Sequence, residues 1–148
     1  MLLINHRLRC YSMSPNNHRP SLAYFWIVIL SYDKDFVFSP SFRMRAMIIG
    51  MVTSPGVEVE SVTSRRALFK RCAEKLFDRV IIEDYRLFMD GEGSVRRIRA
   101  HFTERPKIFV LSTAIDEQTV LSLLECGVDE YLLLPLSAAR LRSKVCRR

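Results

Sequence analysis

Short apolar runs alternate with amphipathic segments along most of this chain, and that alternation constrains the fold more than any other feature. Residues 23–30 (AYFWIVIL), 57–62 (VEVESV), 79–82 (RVII), 107–111 (KIFVL) and 130–134 (EYLLL) read as strands. Most are continuously apolar, as expected of strands covered on both faces, whereas VEVESV alternates and reads as a strand near an edge. Between them lie helical patterns with start and stop signals. Ser39-Pro40 opens a helix carrying Phe42, Met44, Met47, Ile48 and Met51, which Pro55-Gly56 ends. Ser64 caps a second, with Leu68, Cys72, Ala73 and Leu76 on one face. Residues 94–102 place Val95, Ile98 and Phe102 inward, and 116–126 do the same with Val120, Leu123 and Leu124 before Gly127 closes the helix. Ser137 caps a last helix with Leu141 and Val145 inward. Strand–helix alternation of this kind predicts an α/β fold, a five-stranded parallel sheet with helices on both faces. Sites in such sheets lie at the carboxyl ends of the strands. Those ends are Ser31-Tyr32-Asp33, Glu83-Asp84, Ser112-Thr113 and Leu134-Pro135.

A chain of 148 residues is one domain's worth of core. Residues 1–21 are polar, basic and broken by Pro15 and Pro20, which predicts a leader or flexible arm ahead of a domain over 22–148. The apolar run at 22–30 has nine residues, too few to cross a bilayer, and no small-residue cleavage site follows it. No membrane association is expected. The four cysteines lack metal-ligand spacing, so the expectation is a reduced cytoplasmic protein without zinc. No nucleophile–base pair and no phosphate-cradling glycine loop points to an enzyme. The net charge of +7 attracts anionic partners. Its clusters (Arg65, Arg66, Lys70, Arg71; Arg96, Arg97, Arg99; Arg140, Arg142, Lys144, Arg147, Arg148) read as solvated helix faces, with a nucleic-acid-binding module as the alternative.

The stretch RVIIEDYRLFMDG, residues 79–91, delivers adjacent carboxylates, Glu83 and Asp84, to a strand end. With the MDG at 89–91, the VLS at 110–112, the GVDEY at 127–131 and Pro135, the chain resembles the receiver domain of two-component response regulators. Ser112 stands 22 residues before Leu134, the family's spacing between its hydroxyl and its lysine. The resemblance implies a flavodoxin-like, CheY-like sheet and a phosphorelay role. In that family an aspartate ending strand three accepts a phosphoryl group, two acids after strand one hold Mg²⁺ with it, and a lysine pairs with the phosphate. A hydroxyl and an aromatic on strands four and five relay the change.

Counting back from Met89-Asp90-Gly91 sets Glu83 at the acceptor position, whereas the likeness of DYRL to the family's text sets Asp84 there. WIVILSYDKDF resembles the family's first strand, so the acid pair falls on Ser31 and Tyr32, with only Asp33 nearby. Ser112, with Thr113 beside it, and Tyr131 match the relay positions, and Leu134 replaces the lysine. The expectation is an atypical receiver that needs neither phosphorylation nor Mg²⁺. It would bind a protein partner, or a second copy of itself, through the face made by helix four, strand five and helix five. Glu83 is expected to be partly exposed or to meet an arginine, because a buried unpaired carboxylate is costly. The alternative is a working acceptor, Asp84, with Mg²⁺ held by Asp33 and Asp84.

Overall fold

The computed structural model describes residues 33–100, 105–113 and 115–145. All belong to the second of two compact units, Ser31–Arg148. The strands are β1 (Asp33–Phe38), β2 (Val57–Val62), β3 (Arg79–Ile82), β4 (Lys107–Ser112) and β5 (Glu130–Leu133). The helices are α1 (Phe42–Val52), α2 (Arg65–Glu74), α3 (Glu92–Ile98), α4 (Glu117–Glu125) and α5 (Ala138–Val145), with a 3₁₀ turn at Tyr85–Phe88. Every strand pairing is parallel and the order is β2-β1-β3-β4-β5, the flavodoxin-like arrangement, which reverses direction between β1 and β3.

Period-two side-chain alternation divides the strand residues between two cores. Phe36, Phe38, Val80, Ile82, Ile108 and Val110 face α2, α3 and α4 and pack with Leu68, Cys72, Val95, Ile98 and Leu123. Val37, Ile81, Phe109, Leu111 and Leu132 face the other way and pack with Ile48 and Val52 of α1 and Leu141 and Val145 of α5. This two-sided burial is why β3 and β4 read as unbroken apolar text, while β2, at the sheet edge, alternates.

Helix ends follow local chemistry. Ser41, Ser64, Asp116 and Ser137 each accept a backbone N–H from three residues on, at 3.4, 3.2, 2.9 and 3.2 Å. α4 closes where Gly127, at φ 99°, lets its own N–H and that of Val128 bond back to Leu124 and Leu123. The MDG stretch is a helix start: the Asp90 carboxylate accepts the hydroxyl of buried Ser94 at 3.0 Å, and Gly91 takes φ 73°.

The structure corrects the expected first strand. Among the described residues the strand between β2 and β3, the place expected for 23–30, is Asp33–Phe38. A strand beginning with two aspartates reads as loop, but Asp35 meets Arg79 of β3, which lets an acid stand inside the sheet. Residues 1–21, the 22–30 run, Ser31 and Tyr32 lie outside the described residues. Smaller corrections concern boundaries and faces. α1 is capped by Ser41 rather than Ser39. α3 begins at Glu92 rather than Ser94. Phe42, Met47 and Leu76, counted among the apolar residues of their helices, and Leu124, expected inward, are exposed.

Ile81 is fully buried at the centre of the α1–α5 core. Ile81→Ala is expected to lower unfolding free energy by about 2–5 kcal/mol in chemical denaturation. Leu133→Ala, at a site 56% exposed, should stay within about 0.5 kcal/mol.

Candidate functional site

Strand register gathers the site. Phe38 of β1 pairs with Ile82 of β3, Ile82 with Val110 of β4, and Ser112 with Leu133 of β5. The carboxyl edge therefore brings together Ser39, Glu83 and Leu134, each just past its strand, and Ser112, the last residue of β4. Glu83 continues the ladder by donating its N–H to the Phe38 carbonyl at 3.0 Å.

The Glu83 carboxylate turns to Ser39, whose Oγ donates to Oε2 at 3.0 Å. Ser39 is fully buried. Its Oγ also accepts the Ser41 N–H at 3.1 Å and lies 3.1 Å from the Ser41 carbonyl. With one hydroxyl proton to give, the charged acceptor is the stronger one. Arg45 donates to the Ser39 carbonyl at 3.0 Å, bracing the same turn. Glu83 is partly exposed, as expected, and among the described residues its partner is this hydroxyl, not an arginine.

Asp84 is engaged elsewhere. Its carboxylate caps the 3₁₀ turn through the Arg86 N–H at 3.2 Å and pairs with the Arg86 guanidinium at 2.8 Å. Leu134 is 5% exposed and packs with Leu132, Leu141 and Val145, so an apolar side chain fills the place of a cation. Ser112 is buried and Thr113 exposed at the end of β4. Tyr131 packs against the α2–α4 core, and its hydroxyl is buried without a hydrogen-bond partner. Burial raises the phenol's pKa, and the Ser112 hydroxyl pulls it the other way.

Asp33 is not at this edge. It opens β1, at the amino end of the sheet, where Arg79 binds Asp35 at 2.6 Å and Asp33 at 3.1 Å. The register shift of the first strand is the reason: the residues leaving β1 are Ser39, Pro40 and Ser41. Sequence reasoning missed Ser39. Its signal was the apolar triplet Phe36–Val37–Phe38 ahead of it.

The Mg²⁺ implied by the receiver resemblance does not fit these residues. A hard dication wants several anionic or carbonyl oxygens. The carboxyl edge offers one carboxylate already taken by a hydroxyl proton, and Asp84 is held by an arginine. Among the described residues no group of three His, Cys, Asp or Glu side chains could hold a metal ion.

Two variants probe the two ends of the sheet. Ser39→Ala removes a charge-assisted bond and should cost about 1.5–3 kcal/mol in denaturant unfolding. At the amino end, burial pushes the Asp35 carboxyl up to about 6, against the pull of Arg79. The folded chain thus holds that proton above the ordinary carboxylate range. This group's contribution to stability is full below about pH 4 and falls as pH rises towards 6. Arg79→Met leaves the Asp35 charge uncompensated. It should cost about 3–5 kcal/mol at pH 7 and less at pH 5, where Asp35 takes up a proton, as measured by denaturation at both values.

No family model and no curated protein matches the sequence. Solved structures do match the fold. The chemotaxis protein CheY4 of Vibrio cholerae aligns at 21% identity over 78% of this chain and 98% of its own, with a TM-score of 0.67. The receiver domain of a Pseudomonas aeruginosa sensor histidine kinase, with magnesium coordinated in its active-site cleft, aligns at 20% identity over 77% and 94%, with a TM-score of 0.64. A protein described as related to pilus assembly, from Burkholderia pseudomallei, aligns at 20% identity over 79% and 89%, with a TM-score of 0.63. The five-stranded parallel sheet, its strand order and the helices on both faces are those of the CheY-like receiver fold.

Proposed function

We propose that the chain is a receiver-type signalling domain that works through a protein partner, without phosphorylation, without Mg²⁺ and without catalysis of its own. The observation that carries this reading is the bond between Ser39 and Glu83 at the carboxyl edge. Phosphoryl transfer to a carboxylate needs a nucleophilic oxygen, a dication to offset repulsion and a cation to receive the charge. Here the carboxylate is bonded, the residues after β1 carry no acid, and Leu134 fills the lysine position. Glu83 supplies a permanent negative charge at the strand end. It carries less charge than a phosphoryl group, so it imitates one only in part.

The partner face is the one formed by α4, β5 and α5. Leu121, Leu124 and Leu133 are 53%, 44% and 56% exposed there. Leu133 also lines a cavity of about 310 Å³ with Tyr131, Pro135, Leu136, Arg140 and Lys144. Exposed leucines beside a cleft favour a protein contact, with another protein or with a second copy. Among the described residues no helix is long and apolar enough to cross a membrane, and Cys72 and Cys126 are free thiols. A cytoplasmic place accords with both.

The test is incubation of the full chain with acetyl phosphate and Mg²⁺, read by intact mass with borohydride trapping. The expected result is no phosphoryl adduct. An adduct on Asp84 would instead establish an ordinary acceptor that breaks its pair with Arg86, and one on Glu83 would end the proposal as well.

A further inference from the structure

Half of the basic side chains among the described residues are matched by acids. Arg71 and Lys75 meet Glu60, Arg79 meets Asp35, Arg99 meets Asp129, and Lys144 meets Glu130. The outer face of α2 and α3 differs. Arg97 of α3 lies over the ring of Phe69 of α2, its guanidinium carbon 3.7 Å from the ring centroid. Arg65 and Arg66 precede Phe69 by four and three residues, which sets them beside that ring on the helix surface. Arg65 donates only to the Arg86 carbonyl, at 2.8 Å. Among the described residues none of Arg65, Arg66 and Arg97 is in an ion pair, and all three are exposed. The neighbouring Lys70 and Arg96 are balanced by Glu74 and Glu92.

Three uncompensated arginines around a half-buried aromatic have a specific chemistry. A guanidinium stacked on a ring keeps its in-plane N–H groups free to donate, and its fork matches phosphate oxygens better than an ammonium does. Planar guanidinium and ring surfaces also accept a stacked base, whatever the base. An acidic peptide would use the charges but not the stacking surface, so the combination favours nucleic acid over an acidic protein segment. The face lies on α2 and α3, away from the leucines of α4 and β5, and needs no phosphorylation state.

We propose that Arg65, Arg66 and Arg97, grouped around Phe69 on the α2–α3 face, form a binding site for single-stranded nucleic acid without base specificity.

The probe is a fluorescein-labelled 20-nucleotide oligothymidylate, followed by anisotropy with the full chain between low and moderate salt. Each phosphate contact on a single strand contributes about 0.7 to the log–log salt slope, so three lost contacts flatten it by about 2. The triple variant Arg65→Glu, Arg66→Glu, Arg97→Glu should weaken binding at least tenfold with that flattening. Phe69→Leu, which keeps bulk but not the ring, should weaken it severalfold with the slope unchanged. The control is Arg140→Glu with Arg142→Glu on α5, which removes comparable charge elsewhere and should leave affinity within twofold. Far-ultraviolet circular dichroism on every variant separates lost contacts from lost fold. Absence of binding at low salt overturns the site. So does an α5 control that weakens binding as much as the triple variant, since net charge alone would then be responsible. Poly-glutamate competing as well as unlabelled oligothymidylate, phosphate for carboxylate, would make the occupant an acidic protein segment and overturn the nucleic-acid assignment.

Discussion

Every residue of β3, Arg79 to Ile82, is buried. That follows from its place: third in the strand order, flanked by β1 and β4 and covered by helices on both faces. Val80 and Ile82 close one core and Ile81 the other, so the strand cannot slide by one residue without exchanging its two faces. The same rigidity governs both ends. At the amino end the strand begins with an arginine inside the protein, which requires the Asp35 and Asp33 carboxylates of β1. At the carboxyl end it delivers Glu83 beside the residue leaving β1, Ser39. The ion pair at one end and the hydroxyl–carboxylate bond at the other are two consequences of one β1–β3 register.

That register sets which groups meet at the carboxyl edge. Acids clustered there would repel one another and call for a dication. A serine, a proline and a buried leucine stand there instead and carry no charge. The single remaining charge is satisfied by one hydroxyl donor. What persists is the geometry of the fold around Ser112 and Tyr131, including a phenol hydroxyl held inside without a partner.

Much of this was legible in the residues. β2 to β5 and most helix limits follow from apolar pattern and caps, because those signals are local: Ser64, Asp116, Gly127 and Ser137 act within four residues of themselves. The first strand was not legible in the same way. AYFWIVIL is the more apolar text, and DKDFVF begins with charges. What makes DKDFVF a strand is Arg79, 44 residues beyond Asp35, and a contact that distant leaves no periodic mark. The misplaced strand then displaced the acid positions onto Ser31, Tyr32 and Asp33 and hid Ser39. Glu83 follows a strand that was read correctly, β3, whereas Asp84, equally acidic, caps the next turn.

Charge on the surface obeys a similar division between local and distant partners. The edge strand β2 carries Glu58 and Glu60, and α2 answers with Lys75 and Arg71, whose hydrogen bonds hold the Glu60 carboxyl below the usual range despite its burial. Acids on an edge strand discourage pairing with a foreign strand, and their cations come from the helix that covers it. α2 therefore spends the basic residues of one side on the sheet. Those of its other side face α3, where the nearest acids are already matched to Lys70, Arg86 and Arg96. Among the described residues Arg43, Arg45, Arg140 and Arg142 also stand outside the ion pairs, so what sets this part of the surface apart is the guanidinium 3.7 Å from the centre of the Phe69 ring.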